Sequence, residues 1–299
     1  MLVRPIRYFA DNYCYLLKTK NDTHHTIVDP GDTDFILDQI RSNNWTIDNI
    51  LLTHRHWDHI GDFPKFLSEL KKFHNEDLGL KNHKIDVYGG HIEEMEFDYI
   101  PICRTKFSNE KLDFENFTVE CQHSPCHTRG HVLFYIEPKE FTDKERDLSG
   151  ENREICEFNR ILLSGDTLFI GGCGRFFEGS ASEMAQNMWY MRSLHEDTAV
   201  FCGHDYFWGN FGYNWDTEWE NLDLLVLKEE MLAREEEGVE KIPGRIGTEA
   251  KTNTFMRFDL AEMMEKMGTD DPVESLRKLR ELKDKNLSYR KLVEEGEGL

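Results

Sequence analysis

Basic residues are scarce in this sequence. Its 299 residues contain 36 Lys and Arg but 57 Asp and Glu, which gives a formal net charge of −21 at pH 7. Proteins that bind nucleic acids or anionic lipids need clustered Lys and Arg, because they must neutralise phosphate groups. The charge balance therefore predicts no nucleic-acid partner and no membrane partner. It does not exclude a small anionic ligand, since that needs only a few local cations.

Long apolar runs and paired cysteines are also missing. No apolar stretch approaches the roughly 18–20 residues that a membrane-spanning helix needs. The N-terminal segment lacks the apolar run and cleavage site of a secretory signal, so we interpret it as the first strand of a mature fold. The seven cysteines are scattered, odd in number and without a CxxC motif. This usage predicts reduced thiols and a cytoplasmic location.

An alternation of short strands with amphipathic helices fills the first two-thirds of the sequence. Apolar runs bounded by Gly, Pro, Asn and Asp predict strands, and apolar residues three to four apart predict helices. The pattern indicates the α/β class. The predicted strands are 14–17, 26–28, 47–52, 85–88, 117–121, 132–136, 161–163 and 199–202, and the predicted helices are 35–40, 63–73 and 182–194.

The last third of the chain has helical patterns and no strand signal. Residues 217–237 predict a helix with Leu222 and Val226 in its apolar stripe. A final helix is predicted to begin at Pro272, because Asp271 suits its N-cap and proline suits its first position.

This change in pattern predicts two domains. Residues 1–205 would form the α/β domain, and residues 206–299 would form a small all-helical domain. The polar, charge-rich segment 137–160 lies between two predicted strands, and we interpret it as a long solvated connection.

The sharpest chemical signal is the segment Thr-His-Arg-His-Trp-Asp-His at residues 53–59. It directly follows an apolar strand and precedes a helix, so alternate side chains can point at two neighbouring positions. Imidazole and carboxylate groups suit zinc, iron or manganese. The segment predicts a metal site, against the alternative of a His-rich surface loop. Its candidate ligands are His54, His56, Asp58 and His59.

Three later segments place the same residue types just past predicted strand ends, each beside a glycine that permits close backbone approach. Taken alone, Asp166 could be a turn residue and His204 a structural histidine. His127 and His131 compete, because only one of them need be a ligand. Strand ends that converge at one sheet edge would bring these side chains to the first segment.

The order HxHxDH, HTxGH, GDT and GH resembles the metallo-β-lactamase superfamily. Within it, GCGRFFEG at 172–179 and DPVESLRKLRELKD at 271–284 are similar to the glyoxalase II family, and the similarity spans almost the whole chain. The resemblance implies an αββα sandwich followed by the helical domain. It also implies two divalent metal ions, with zinc favoured over iron or manganese.

The resemblance implies specific ligands as well. One metal would take His54, His56 and His127, and the other Asp58, His59 and His204, with Asp166 bridging both. His131 would then be structural, and Asp29 becomes a candidate for orienting a ligand histidine. Asp58 would additionally orient a metal-bound hydroxide.

The expected chemistry is hydrolysis of a thioester by that hydroxide. A thiolate leaving group has a pKa of roughly 8.5, so it needs no dedicated acid. The sequence has no GxSxG segment that would mark a serine nucleophile. We interpret Cys126 and Cys202, beside ligand positions, as packing residues.

The resemblance also implies the substrate, a small-molecule glutathione thioester. The family reaction would be hydrolysis of S-D-lactoylglutathione to glutathione and D-lactate, the second step of methylglyoxal detoxification, and we expect a monomer. Arg280 and Lys283 share a helix face and match positions that bind the glycine carboxylate of glutathione. Tyr206 matches a substrate-contacting tyrosine. Arg175 replaces a common lysine, and Phe177 replaces a common tyrosine.

Several alternatives compete with this prediction. A persulfide dioxygenase-like enzyme with a single iron, or a β-lactam hydrolase, would not need Arg280 and Lys283. A nuclease would need a basic surface. Because Phe177 replaces a common tyrosine, a hydrolase that acts on thioesters of another thiol carrier is a further alternative. Relatives that use trypanothione, however, lack the basic pair. The protein could also bind metal without catalysing a reaction, but its complete set of metal ligands would then have no catalytic use.

Overall fold

Two β-sheets form the centre of the protein in a computed structural model that describes residues 1–142 and 156–295. In spatial order, the first sheet contains β10 (Cys156–Glu157), β1 (Leu2–Tyr8), β2 (Asn12–Lys18), β3 (His25–Val28), β4 (Ile47–Leu52), β5 (Asp86–Gly90) and β6 (Ile100–Ile102). The second contains β15 (Gly244–Arg245), β14 (Ala199–Cys202), β11 (Ile161–Gly165), β9 (Val132–Pro138), β8 (Phe117–His123) and β7 (Asn109–Asp113). A separate pair contains β12 (Leu168–Phe169) and β13 (Gly172–Cys173).

Helices cover the outer faces of the sheets and make up most of the C-terminal part. The first four are α1 (Thr33–Ser42), α2 (Trp57–Ile60), α3 (Phe63–Glu76) and α4 (Ala181–Ser193). The others are α5 (Phe207–Thr217), α6 (Leu222–Glu236), α7 (Ile246–Thr252), α8 (Ala261–Lys266), α9 (Pro272–Asp284) and α10 (Tyr289–Glu295).

Alternation along β2 shows how the layers are built. Tyr13, Tyr15 and Leu17 belong to the core that the two sheets share, whereas Cys14 and Leu16 belong to the core under α1 and α3. Successive side chains of a strand point to opposite faces, so one strand supplies both layers. On the other side of the sandwich, α4 lies against the second sheet, where its Tyr190 hydroxyl donates to Glu120 of β8 at 3.1 Å. The predicted αββα sandwich is confirmed.

The helix starts follow local capping chemistry. Asp32 accepts a hydrogen bond from Phe35 N at 3.1 Å at the start of α1, and Asp271 accepts from Val273 N at 2.9 Å at the start of α9. Each side chain satisfies a backbone donor that the helix itself leaves free. The helix that the sequence predicted from Pro272 is therefore present, and α10 follows it.

The helix predicted over 217–237 was wrong in its first turn and in its buried face. Helix α5 ends at Thr217 and α6 begins only at Leu222, where Asn221 accepts a hydrogen bond from Asp223 N at 3.1 Å. Leu222 and Val226 are exposed, at 73% and 69%, and the buried side chains of α6 are Leu224, Leu227 and Met231. The helical period was therefore predicted, but the packing of α6 on its neighbours buries the face that carries Leu224, Leu227 and Met231 rather than the face that carries Leu222 and Val226.

The C-terminal region also contains a strand, which the sequence did not indicate. Arg245 and Gly244 of β15 pair with Ala199 and Val200 of β14. Of the predicted connection 137–160, residues 143–155 lie outside the described residues, and Cys156–Glu157 forms β10 beside β1. Within the described residues, no helix combines the length and apolar character needed to cross a membrane.

Candidate metal centre and substrate cavity

The candidate ligands lie where strands of both sheets end. His54, His56, Asp58 and His59 follow β4 and enter α2, while His127 lies in the loop between β8 and β9. Asp166 follows β11 and His204 follows β14, which run parallel to each other. Parallel strands deliver their carboxyl-terminal ends to one edge of a sheet, so ligands that are distant in sequence meet there.

Three of these imidazoles form a first cluster. His54 Nε2 lies 3.1 Å from His56 Nδ1, and His127 Nε2 lies 3.0 Å from the same His56 atom. His131 does not join this cluster. Its ring stacks on His54 at 5.0 Å, and its Nε2 accepts a hydrogen bond from Asp166 N at 3.1 Å.

A second cluster lies beside the first. His59 Nε2 is 3.3 Å from His204 Nε2, and Asp58 Oδ2 is 3.3 Å from the same His204 atom. Asp166 lies between the clusters, with Oδ1 3.3 Å from His59 Nε2 and Oδ2 3.4 Å from both His127 Nε2 and His204 Nε2. The structure therefore brings all seven predicted ligands together.

This donor set fits divalent cations. The imidazole nitrogens of these clusters lie 3.0–3.3 Å apart, so several lone pairs are crowded together. One divalent cation can bind all of them at once, which separate protons cannot do. Asp166 Oδ1 is buried and accepts no hydrogen bond from the described residues, as expected of an oxygen that coordinates a metal ion. Burial holds the pKa of His54 well below its usual range and lowers the pKa of His127 to about 4, so both rings are neutral and able to coordinate.

Carboxylates behind the clusters hold the rings in place. Asp29 Oδ2 lies 3.1 Å from His59 Nδ1 and accepts a hydrogen bond from Thr53 Oγ1 at 2.6 Å, as the sequence predicted for this residue. Asp11 Oδ1 lies 2.7 Å from His204 Nδ1, and Asn12 Nδ2 donates to Asp58 Oδ2 at 3.0 Å. The sequence analysis missed Asp11, in the turn between β1 and β2, and Asn12, the first residue of β2.

Glu93 is another supporting residue that the sequence analysis missed. Its side chain is fully buried beside Arg55. One carboxylate oxygen accepts from Thr128 Oγ1 and from Gly130 N at 2.9 Å, and the other accepts from Arg55 N at 2.9 Å. Glu93 thus ties the loop that carries His54 and His56 to the loop that carries His127.

We expect Glu93→Gln to weaken metal binding by about ten- to a hundredfold, the usual cost of losing a group that orients ligands. The amide keeps the volume but cannot accept all of these hydrogen bonds. Competition with a chromophoric chelator measures the affinity. Glu96→Gln, an exposed position in the same loop, is the control. A variant that melts earlier but binds metal as tightly as the wild type would refute this role.

A cavity of about 800 Å³ opens over the metal centre. Phe177, 60% exposed, lies over the first cluster, with its ring 5.2 Å from that of His127. The Tyr206 ring stacks on His204 at 4.8 Å. Arg175 also lines the cavity. The structure thus brings Phe177 and Tyr206 next to the ligands, whereas the Arg175 side chain has its Nε 3.6 Å from Asp284 Oδ1.

The predicted basic pair lies at the far side of the same cavity. Arg280 Nη1 donates to Cys173 O at 3.0 Å, and its Nη2 lies 2.8 Å from Asp284 Oδ1. Lys283 Nζ donates to Asn210 Oδ1. Burial, together with the nearby Arg280 charge, lowers the pKa of Lys283 to about 8. The cavity therefore has a basic end, at Arg280 and Lys283, and an end lined by the candidate metal ligands.

The cysteines fit the packing interpretation. All seven lie within the described residues, where each is buried and none forms a disulfide. Burial raises the pKa of Cys202 to about 12 and also raises that of Cys126, so neither thiol ionises near neutral pH.

Known proteins share both parts of this chain. Residues 7–138 match the family model of the metallo-beta-lactamase superfamily, and residues 205–286 match that of the hydroxyacylglutathione hydrolase C-terminus. The cytoplasmic hydroxyacylglutathione hydrolase of Arabidopsis thaliana is 31% identical over 277 residues, covering 92% of this chain and 95% of the relative. The hydroxyacylglutathione hydrolase of Trichormus variabilis is 30% identical over 286 residues, covering 95% and 100%. The crystal structure of ETHE1 from Myxococcus xanthus shares the fold, with a TM-score of 0.56, 16% identity and coverage of 98% and 95%.

The sandwich with a His- and Asp-rich centre at its strand ends defines a metal-binding enzyme of the metallo-β-lactamase superfamily. The sequence matches continue through the C-terminal helices and narrow this class. The chain belongs to the hydroxyacylglutathione hydrolases, the glyoxalase II family of metal-dependent thioester hydrolases. The family resemblance inferred from sequence is confirmed, and it favours thioester hydrolysis over the mononuclear iron alternative.

Proposed function

We propose that this protein hydrolyses S-D-lactoylglutathione and related 2-hydroxyacylglutathione thioesters, releasing glutathione and the hydroxy acid. The reaction would be the second step of methylglyoxal detoxification, in the cytoplasm. The observation that carries the proposal is that one cavity holds both the metal-ligand clusters and the basic pair Arg280 and Lys283. The relatives' names, hydroxyacylglutathione hydrolase, support the substrate class.

The proposed cofactors are two divalent ions, zinc in preference to iron or manganese. One would be held by His54, His56 and His127 and the other by Asp58, His59 and His204, with Asp166 shared. When bound, such ions supply a low-pKa water and polarise a carbonyl oxygen. Five imidazoles with two carboxylates suit all three metals.

The remaining chemistry belongs to side chains of this chain. Asp58, held by Asn12, has its carboxylate at the cavity and is proposed to accept a hydrogen bond from the attacking water and so orient it. The departing glutathione thiolate has a pKa of roughly 8.5, so no side chain need protonate it. Cys126 and Cys202 take no part, because both thiols stay protonated.

The basic end of the cavity would hold the substrate in place. We propose that Arg280 and Lys283 bind the glycine carboxylate of glutathione, while Arg175, whose Nε lies 3.6 Å from Asp284 Oδ1, adds positive charge at the same end of the cavity. The Tyr206 hydroxyl would donate to the peptide, and Phe177 would pack against it. These cations form a local positive pocket in an acidic protein, which favours entry of an anionic thioester.

We further propose that a single chain is the active unit, with catalytic residues in 1–205 and the basic pair in 206–299. Every group assigned above to the reaction comes from one copy of the chain. The helical part would then serve as the substrate-binding domain.

A thioester-cleavage assay tests the proposed function. We expect thiol release from S-D-lactoylglutathione, its loss after treatment with a chelator, and its recovery when Zn²⁺ is restored. An acetyl thioester of a small neutral thiol is the comparison substrate, and it should be cleaved much less efficiently. Thiol release that survives complete metal removal, or equal efficiency on both substrates, would overturn the assignment.

A further inference from the structure

A second group of imidazoles lies at the opposite edge of the first sheet from the metal centre. Strands β3, β4 and β5 run parallel, so their first residues share one edge. His24 immediately precedes β3, Asp48 is the second residue of β4, and His83 lies in the loop before β5. The catalytic ligands follow the other end of β4. Since a strand rises about 3.3 Å per residue, Asp48 and His54 are about 20 Å apart.

The three side chains at this edge meet at one carboxylate. His24 Nδ1 lies 2.9 Å from Asp48 Oδ1 and 3.1 Å from Oδ2, and His83 Nε2 lies 2.9 Å from Oδ1. The same His83 nitrogen lies 3.2 Å from Ile47 O, a contact that a coordinated ion would replace. One nitrogen from each ring and one carboxylate oxygen all fall within 4.8 Å of one another. The two rings are nearly perpendicular, at 83°, so they approach the carboxylate from different directions.

A third imidazole lies behind this group. The His74 ring packs edge-on to His83 at 4.8 Å, and its Nε2 accepts a hydrogen bond from Ile47 N at 3.3 Å. Its Nδ1 is buried and has no hydrogen-bond partner among the described residues. Burial, with the neighbouring rings, lowers the pKa of His74 to about 4. The uncharged His74 ring therefore packs against His83 and limits how far His83 can turn away from Asp48.

The group is open to solvent on its other side. The side chains of His24 and Asp48 are 35% and 41% exposed, and that of His83 is 15% exposed. An ion can therefore reach the nitrogens and keep water in its remaining positions. Two imidazoles and one carboxylate select late first-row divalent ions over Mg²⁺ or Ca²⁺, which prefer oxygen ligands.

We propose that His24, Asp48 and His83 form a peripheral site for a divalent transition-metal ion, separate from the catalytic centre. Zn²⁺ binds there to one nitrogen of each imidazole and to the Asp48 carboxylate, with water in its remaining coordination positions. Bound metal joins the chain segments that begin three neighbouring strands. It therefore stabilises the folded protein by binding to that state alone.

Metal counting in the loaded enzyme tests the peripheral site. Protein whose catalytic centre is already saturated with Zn²⁺ is equilibrated against further Zn²⁺ by dialysis, and bound metal is measured by atomic emission. We expect one additional ion per chain in the wild type and its loss in His24→Gln and in His83→Gln. His195→Gln is the matched control, since His195 is also a surface histidine near one carboxylate, Asp197, and it should keep the additional ion.

Two further measurements make the outcome decisive. Added Zn²⁺ should raise the melting temperature of the loaded wild type and of the control but not of the two variants. Thioester hydrolysis should be unchanged in His24→Gln, because His24 and its partner Asp48 lie at the surface and away from the catalytic centre. Unchanged activity would show that the variant is folded. A wild type that binds no additional ion, or a His24→Gln variant that binds it normally, would overturn the proposal.

Discussion

Asp166→Asn is expected to reduce kcat for thioester hydrolysis by about a thousandfold or more. The amide keeps the shape of the side chain but removes the charge that lies 3.3–3.4 Å from His59, His127 and His204. Metal-assisted polarisation contributes several kcal/mol to such reactions, and each 1.36 kcal/mol is a factor of ten in rate. We also expect fewer than two metal ions per chain after dialysis, because the proposed shared ligand is weakened.

Steady-state kinetics and metal analysis on the same preparation check this result. Asp34→Asn is the control, because Asp34 is an exposed carboxylate whose side chain contacts Lys65. It should keep both activity and metal. An Asp166→Asn variant that binds two ions and turns over normally would show that Asp166 is not shared between metals.

The second large effect is expected at the basic end of the cavity. Lys283→Met should raise KM for S-D-lactoylglutathione by roughly 10- to 100-fold and change kcat little. A charge-assisted hydrogen bond is worth about 1.5–3 kcal/mol, and its loss affects substrate and transition state alike. KM for a short neutral thioester should not change. Arg280 is less suitable for this test, because it also donates a hydrogen bond to Cys173 O in β13.

The pH dependence gives an independent check on Lys283. Its pKa of about 8 lies below the ordinary value of 10.5, so the ammonium group loses its proton as pH rises through 8. KM for the anionic thioester should therefore increase above that pH in the wild type and stay flat in Lys283→Met. Lys285→Met, at the exposed C-cap of α9 two residues after Lys283, should behave as the wild type does. An equal rise in KM for the neutral thioester would refute the anchoring role.

The sequence predicted which His and Asp side chains converge, because each candidate ligand belongs to a short local segment. A strand end followed by His or Asp can be recognised from a few consecutive residues, as in the segment that carries His54 and His56. The sheet then brings these ends together, and the strands were clear from their apolar runs. The choice of His127 over His131 required the family resemblance, since both lie beside the same strand.

Contacts between distant residues could not be predicted in the same way. Asp11 lies 193 residues from His204, its partner, in a turn whose composition is ordinary. Glu93 appeared as one acid among many in a chain with 57, and only its burial distinguishes it. The exposed Leu222 and Val226 show the same limit, because the pattern fixed a helical period but not which face would be covered.

Strand β15 has a consequence for what the C-terminal region contributes. It covers the outer side of β14, the strand that leads to His204. Without residues 206–299, β14 would be a bare edge whose free N–H and C=O groups invite pairing with another molecule. The C-terminal region, proposed to bind the substrate, therefore also covers an edge that could otherwise pair with another chain. Removing or exchanging this region requires another way to cover that edge.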